Sequence, residues 1–209
     1  KEVVSEDVTY DEIGSAQVHA EITGTSDLVV DTDEEGVEKV KELFGLLPSN
    51  WKEKPPVVEN NDPVDRRDKE LRNISLMDRK ERDMYEIIQR VVDNGYFFEL
   101  KPLYAKNIIT GFVRMDGHTV GIVANNPKVK NGAIDINSSD KAARFIRFCD
   151  CFNIPLIFLV DSVGLLPDKE EEKAGIERHA AKIPFAICES TVPKVTVYVG
   201  ECSGDAEYI

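Results

Sequence analysis

The sequence lacks a long apolar segment. Among its 209 residues, the longest strongly apolar run is Leu156–Val160, which is far short of the roughly 20 residues that a membrane-spanning helix needs. No positively charged stretch followed by an apolar one opens the sequence, so a secretory leader is not indicated. We therefore expect neither a membrane span nor a secreted precursor.

Metal ligands and reactive side chains are sparse as well. The four cysteines have no regular spacing, Cys149-x-Cys151 lacks the two-residue gap of a zinc knuckle, and the three histidines are far apart. We predict no metal site, and reduced cysteines of a protein in the cytoplasm or an organelle matrix. A nucleophile at Cys202-Ser203 with His179 as its base is an alternative, although the spacing of a Gly-x-Ser-x-Gly turn is not met.

Basic residues are fewer than acidic ones. Lysine and arginine number 26 against 39 aspartates and glutamates, which gives a formal net charge of −13. A nucleic-acid backbone is then a poor partner, because two polyanions repel each other. Much of the excess lies in residues 1–47, which hold 13 acidic residues and three lysines.

The overall composition is that of an ordinary globular protein, with 42% hydrophobic residues. Local composition divides the chain into three parts. An amphipathic helix is predicted to open at Asp33-Glu34-Glu35 and to be closed by Leu46-Leu47-Pro48, with an apolar face made of Val37, Val40, Leu43 and Phe44. Residues 48–82 contain four prolines and many charges, which is linker composition. We therefore divide the chain into residues 1–47, a linker over residues 48–82, and residues 83–209.

The third part alternates helices with apolar strands. Periodicity and turn residues predict, in chain order, a helix over Met84–Val92, a hairpin of Asn107–Arg114 and Thr119–Asn125, a helix from Ser138 to Phe152 with Lys141 facing out, the strand Leu156–Val160, a helix over Lys169–Glu189 and the strand Val195–Val199. Such alternation is typical of a parallel α/β layer. We expect the last two strands to be parallel neighbours.

Two glycine-containing loops follow these last strands. Right-handed crossovers bring Asp161–Gly164 and Gly200–Ala206 to one edge of the sheet, where ligands bind in open α/β sheets. Small residues at Gly204 and Ala206 leave main-chain N–H groups accessible, and such groups can hold an oxyanion. On spacing alone, an ordinary strand-to-helix turn explains the same residues.

Eight segments spread over nearly the whole chain are distinctive: Gly14-Ser15-Ala16-x-x-His19, Leu47–Asn50, Lys54–Val58, Asp62–Arg66, Phe97–Ile108, Gly121–Asn125, Ser139–Asp150 and Phe152–Leu156. Together they resemble one family, the carboxyltransferase (β) subunits of biotin-dependent acyl-CoA carboxylases, of the propionyl-CoA and methylmalonyl-CoA type. Matches of this length are more specific than any single glycine motif.

The resemblance implies a fold and a reaction. The fold would be α/β and crotonase-like (the ClpP/crotonase superfold), here partial, with parallel sheet layers flanked by helices. Residues 1–47 would end the N-terminal carboxyltransferase half, and residues 83–209 would begin the C-terminal half. The reaction would move a carboxyl group between carboxybiotin and the α-carbon of a short acyl-CoA, of propionyl-CoA or acetyl-CoA type, through an enolate held by backbone oxyanion holes.

The resemblance also implies partners. Biotin would be carried by a separate carrier protein or domain, and no metal would be needed. The chain would act on an acyl-CoA with biotin carboxylase and biotin carrier subunits, as a homo-oligomer of carboxyltransferase subunits. The segment that forms the first oxyanion hole in the family has no match here, so we expect little activity from this chain alone.

The resemblance assigns six site residues: a second oxyanion loop of Gly204, Asp205 and Ala206, and substrate or biotin contacts at Ser162, Val163 and Gly164. The family's Gly-Gly-Ala is Gly204-Asp205-Ala206 here, and its Arg-Lys-rich pattern is absent from residues 200–203. An ionised Asp205 would oppose a developing oxyanion. Asp205 therefore favours a non-catalytic assembly piece as one alternative. A biotin-dependent decarboxylase subunit, which uses the same enolate, and a crotonase-type hydratase or hydrolase are the others.

Overall fold

One mixed sheet organises the computed structural model, which describes residues 7–204 apart from the side chain of Ser75. Its five strands are β1 (Phe97–Leu100), β2 (Ile108–Met115), β3 (His118–Asn125), β4 (Leu156–Ser162) and β5 (Lys194–Cys202). They lie in the order β1-β2-β3-β4-β5. The first three strands pair antiparallel, whereas β3 with β4 and β4 with β5 pair parallel. The predicted parallel pairing of the last two strands is confirmed.

Nine α-helices lie within residues 7–204: α1 (Tyr10–Gly14), α2 (Ala16–Glu21), α3 (Asp33–Leu46), α4 (Glu70–Ser75), α5 (Met84–Val91), α6 (Ile136–Cys151), α7 (Lys169–Ala174), α8 (Ile176–Ala180) and α9 (Lys182–Glu189). The prediction of a single helix over Lys169–Glu189 is wrong. Gly175 is left-handed at φ 88° and ends α7. The prolyl ring at Pro184 then fits only in the first turn of a new helix.

The β2–β3 hairpin agrees with its sequence prediction. Asp116 and Gly117 have φ values of 50° and 74°, which is the left-handed pair that a two-residue hairpin turn requires. The register runs from Ile108 opposite Asn125 to Met115 opposite His118. This pairing fixes which side chains of β2 and β3 face each side of the sheet.

Each face of the sheet carries its own core. Along β2, Ile108 and Phe112 face one cluster, which packs against α6, while Ile109 and Val113 face a second cluster beneath α4 and α5. This is the period of two expected of a strand buried on both sides. The segment predicted as a linker therefore contains a helix, α4, whose Ile74 is buried.

Helix α3 contacts the sheet by a narrower surface than its sequence predicts. Leu46 is buried and Leu43 packs against the α6-side core. Val37, Val40 and Phe44, expected on the inner face, are 53%, 53% and 69% exposed. The helix thus meets the core through its last turn.

Helix α6 departs from its prediction at two positions. Its N-cap is Asp135, three residues before the predicted cap, and the carboxylate accepts hydrogen bonds from Ser138 N and Lys130 Nζ. Lys141 is buried, not outward-facing. Its ammonium donates to the carbonyl oxygens of Lys101, Tyr104 and Ile108 at 2.8–2.9 Å, and these main-chain acceptors allow the charge to be buried.

Candidate functional site

Three strands end on the same edge of the sheet. Because β3, β4 and β5 are parallel, their carboxyl ends at Asn125, Ser162 and Cys202 open together, which is where open α/β sheets bind ligands. The loop after β3 folds back under this edge. The Asn125 side chain fixes it by donating to Gly132 O at 3.2 Å and accepting from Asp161 N at 3.3 Å.

The loop after β4 carries the predicted contacts Ser162, Val163 and Gly164. The Ser162 hydroxyl is buried, donates to Gly132 O at 2.8 Å and accepts from Gly164 N at 3.1 Å. Its hydrogen-bonding capacity is therefore used to shape the loop. Gly164 has φ 97°, and its carbonyl accepts from Ile134 N at 2.9 Å. Val163 is 36% exposed and presents an apolar surface at the edge.

The loop after β5 lies against the loop after β4. Ser203 N donates to Ser162 O at 3.3 Å. Gly204 has φ 63°, and a Cβ built on it would lie 3.9 Å from Val163 O and 4.0 Å from Gly164 Cα. The structure thus brings Gly204 together with the three predicted residues of the β4 loop, while Asp205 and Ala206 lie outside the described residues.

Main-chain donors are available at this edge. The N–H groups of Gly164 and Ser203 are used within the loops. Across residues 7–204, nothing accepts a hydrogen bond from the N–H of Val163 or of Gly204. Among the described residues, each of the two adjacent loops therefore offers one N–H without an acceptor, the kind of donor that stabilises a developing oxyanion.

A buried ion cluster supports the edge, and sequence reasoning missed it. The Asp161 carboxylate is fully buried and pairs with Arg82, and also with Arg79 at 2.9 Å between Nε and Oδ1. An acidic residue at the end of an apolar strand does predict a basic partner, because an unpaired buried charge is costly. No spacing rule could identify arginines about 80 positions earlier in the chain.

Burial displaces the pKa values of Lys141, Glu99 and Cys149. Burial lowers the pKa of Lys141 to about 8, against the opposing effect of the Glu99 carboxylate. Burial likewise raises the pKa of Glu99, whose carboxylate accepts from Tyr85 Oη at 2.8 Å, and it raises the pKa of the Cys149 thiol. None of these three groups has a hydrogen bond to the β4 and β5 loops within the described chain.

The alternative nucleophile finds no support in the geometry. His179 Nδ1 lies 3.0 Å from Asp140 Oδ2 on α6 and 3.0 Å from Lys182 Nζ. In the described chain it makes no hydrogen bond to Cys202 or Ser203. Among residues 7–204, no group of three or more His, Cys, Asp or Glu side chains is arranged to hold a metal ion.

Comparison with known proteins decides the family. The family model described as "Carboxyl transferase domain" matches residues 1–209. The chain belongs to the carboxyl transferase domain family. The family resemblance noted in the sequence is thereby confirmed.

Relatives in this carboxyl transferase family include proteins of two reaction types. The chain is 48% identical over 207 residues to the human mitochondrial propionyl-CoA carboxylase beta chain, covering 99% of this chain and 38% of the human protein. It is 43% identical over 216 residues to the methylmalonyl-CoA decarboxylase subunit alpha of Veillonella parvula, covering 98% of this chain and 42% of that subunit. The chain therefore spans about two fifths of the length of these relatives.

A solved carboxyltransferase structure has the same fold. The transcarboxylase 12S hexamer, crystallised with methylmalonyl-coenzyme A and methylmalonic acid, superposes with a TM-score of 0.91 at 46% identity, over 95% of this chain and 39% of that one. The predicted α/β crotonase-like fold is confirmed. No helix within residues 7–204 combines the length and apolarity needed to cross a bilayer.

Proposed function

We propose that the full-length protein containing this chain is a biotin-dependent carboxyltransferase. It moves a carboxyl group between carboxybiotin and the α-carbon of a short acyl-CoA of propionyl-CoA or acetyl-CoA type. The observation that carries the proposal is the hydrogen bond from Ser203 N to Ser162 O, which sets Gly204 beside the Val163–Gly164 loop at the carboxyl edge, in a chain of the carboxyl transferase domain family.

The chain's own residues fit a ureido group at this edge. Uncommitted N–H donors at Val163 and Gly204 suit a carbonyl oxygen that gains negative charge, and the exposed Val163 side chain suits an apolar ring beside it. Bound carboxybiotin would supply the carboxyl group that is transferred. The buried Ser162 hydroxyl holds the β4 loop so that its N–H groups keep one orientation.

This arrangement works through geometry that exists before substrate binds. Hydrogen-bond donors fixed toward the place where charge develops stabilise a transition state without reorganising during the reaction, and each donor is worth about 10²–10³ in rate. No acid or base side chain is required for that effect. The enolate-stabilising hole of the N-terminal half would lie in the remainder of the full-length protein.

The partners follow from the same proposal. Biotin would arrive on a separate carrier protein or domain, loaded by a biotin carboxylase subunit, and carboxyltransferase subunits would assemble as homo-oligomers in the cytoplasm or an organelle matrix. The division into residues 1–47, 48–82 and 83–209 would mark the end of one carboxyltransferase half, a linker and the start of the second half. A hexamer is the assembly named for the transcarboxylase 12S relative.

The test is carboxyl exchange by the full-length protein with methylmalonyl-CoA or malonyl-CoA and free biotin as the acceptor. We expect exchange in the wild type and a loss of about 10-fold or more in Ser162→Ala, since the hydroxyl holds the Gly164 N–H. The matched control is Ser190→Ala, because the Ser190 hydroxyl donates to Ile187 O on α9 and accepts from Lys194 at the amino end of β5, the end opposite to the candidate site. Absence of exchange in the wild type would refute the proposal.

A second candidate uses the same edge in the opposite direction. The similarity to a methylmalonyl-CoA decarboxylase subunit favours a protein that takes carboxyl groups from an acyl-CoA and passes them to biotin for release. The two directions share one transition state. Comparing the rates of carboxylation and decarboxylation in the complex with its carrier partner separates them.

A further inference from the structure

The segment between α4 and α5 sends two arginines to the end of the sheet. Arg79 and Arg82 both reach Asp161, the residue that immediately precedes the Ser162–Gly164 loop. The Arg82 guanidinium also donates to Met77 O at 2.9 Å, which anchors it within its own segment. The side chains of Arg79 and Arg82 are 15% and 8% exposed and that of Asp161 is 0% exposed, so the cluster is shielded from water.

Strand β5 bulges where it passes this cluster. Val160 is opposite Tyr198, whereas Ser162 is opposite Cys202, so β5 uses four residues while β4 uses two. Gly200 lies in the bulge, and a Cβ there would come within 2.5 Å of the Asp161 carboxylate and would also meet Arg82. The cluster thus occupies the space that any side chain at position 200 would fill.

Arg79 connects the two strands across the bulge. Its Nε contacts Asp161 Oδ1 at 2.9 Å, and its Nη2 donates to the main-chain carbonyl of Glu201 at 3.2 Å. The same nitrogen lies 3.0 Å from Glu201 Oε2. Because the Glu201 side chain is 85% exposed, water screens that ion pair, and the main-chain contact is the one that fixes β5.

We propose that Arg79 is a positioning residue for carboxyl transfer, which rests on the function proposed above. By holding Asp161 and the Glu201 carbonyl together, Arg79 sets the path of residues 201–204 and keeps Gly204 beside the β4 loop. Arg82 has the separate role of neutralising the buried Asp161 charge. The loops of the candidate site are therefore held in register by a residue of the segment that composition marks as a linker.

The division of roles makes Arg79 testable without unfolding the protein. In Arg79→Gln, Asp161 keeps its Arg82 partner, so the buried carboxylate stays paired. The variant loses the hydrogen bond from Arg79 Nη2 to the Glu201 carbonyl, so the loop after β5 can shift. A displacement of about 1 Å in an active site can cost about 10²-fold in rate. Arg79→Lys keeps the positive charge, but an ammonium lacks the planar guanidinium that contacts Asp161 and Glu201 together. We therefore expect this variant to keep only part of the wild-type rate.

The experiment compares wild type, Arg79→Gln, Arg79→Lys and Arg90→Gln in the full-length protein. Arg90 is the matched control, because it also joins two carboxylates, Asp68 and Glu86, neither of which lies on β4 or β5. We expect kcat for exchange into free biotin to fall about 10- to 100-fold in Arg79→Gln, with the KM for the acyl-CoA changed less than about twofold. Arg79→Lys should lie between, and Arg90→Gln should match the wild type.

A second measurement does not depend on activity. Hydrogen exchange of the Ser203 main-chain amide, which donates to Ser162 O in the wild type, should be faster in Arg79→Gln than in the wild type and unchanged in Arg90→Gln. Three results for Arg79→Gln would each overturn the positioning role: an unchanged rate of amide hydrogen exchange, a kcat for carboxyl exchange within twofold of the wild type, or a kcat that falls only in step with the melting temperature. A wild type without exchange activity would refute the proposed function instead, and the amide measurement would still decide the role of Arg79.

Discussion

Arg82 and Asp161 form a buried ion pair that links the chain before α5 to the carboxyl end of β4. Arg79 is the second cation on the same carboxylate. Because removal of one partner leaves buried charge uncompensated, we predict that Asp161→Ala lowers the free energy of unfolding by about 3–5 kcal/mol.

Urea unfolding of the full-length protein measures this loss. Glu38→Ala serves as a comparison, since Glu38 and its partner Lys41 are 71% and 66% exposed and loss of this ion pair should cost much less. Equal losses in the two variants would show that the Asp161 cluster is not buried as described.

Lys141 supplies the second prediction. Its ammonium donates to three main-chain carbonyls from inside the protein, so Lys141→Met leaves these acceptors without their donor. We expect a loss of about 3 kcal/mol or more. Arg144→Met, on the exposed side of the same helix, should change stability by less than about 0.5 kcal/mol. Similar melting temperatures for the two variants would contradict the buried position of Lys141.

The N-cap of α6 predicts a pH dependence. Burial raises the pKa of Asp135, but hydrogen bonds from Lys130 and Ser138 outweigh burial, and the pKa is held below its usual range. A carboxyl whose folded pKa is depressed stabilises the fold above its unfolded pKa, about 3.9, and this stability is lost as pH falls through the folded value.

Asp135→Asn separates charge from capping. Asparagine caps a helix nearly as well as aspartate, so the variant should show a shallower loss of stability below about pH 4. Asp135→Ala should in addition lose about 1 kcal/mol at neutral pH. Parallel stability curves for wild type and Asp135→Asn between pH 3 and pH 6 would contradict the depressed pKa.

Asp205 follows Gly204 directly in the sequence, and its negative charge is unfavourable for a site that stabilises an oxyanion. A negative charge beside a developing oxyanion opposes it, so we predict that Asp205→Gly and Asp205→Asn both increase carboxyl exchange in the full-length protein, by about 10-fold. Equal gains would identify charge as the cause, because asparagine keeps the shape. If neither variant gains, the carboxylate does not face the transferred group.

The local patterns that predicted the fold each rely on neighbouring residues. Asp116-Gly117 between two apolar runs predicted the hairpin, and glycine loops after Leu156–Val160 and Val195–Val199 predicted parallel neighbours. A glycine inside a helical pattern signals a possible helix end, and Gly175, left-handed in the structure, divides the helix predicted over Lys169–Glu189.

The remaining features depend on contacts between distant residues. Helical spacing places Lys141 on the outer side of α6, and only the carbonyls at the β1–β2 connection, more than 30 positions earlier, bring it inside. The partners of Asp161 likewise come from a charged segment with linker composition. For the candidate site, sequence reasoning named the two loops but not the arginines beneath them.

The most direct test of the account traces the carboxyl group itself. The full-length protein is incubated with methylmalonyl-CoA labelled at its free carboxyl carbon and with biocytin as the acceptor, and mass spectrometry follows the label. We predict labelled carboxybiocytin and propionyl-CoA in equal amounts. Unlabelled biocytin together with free CoA from thioester hydrolysis, or with no reaction at all, would contradict carboxyl transfer.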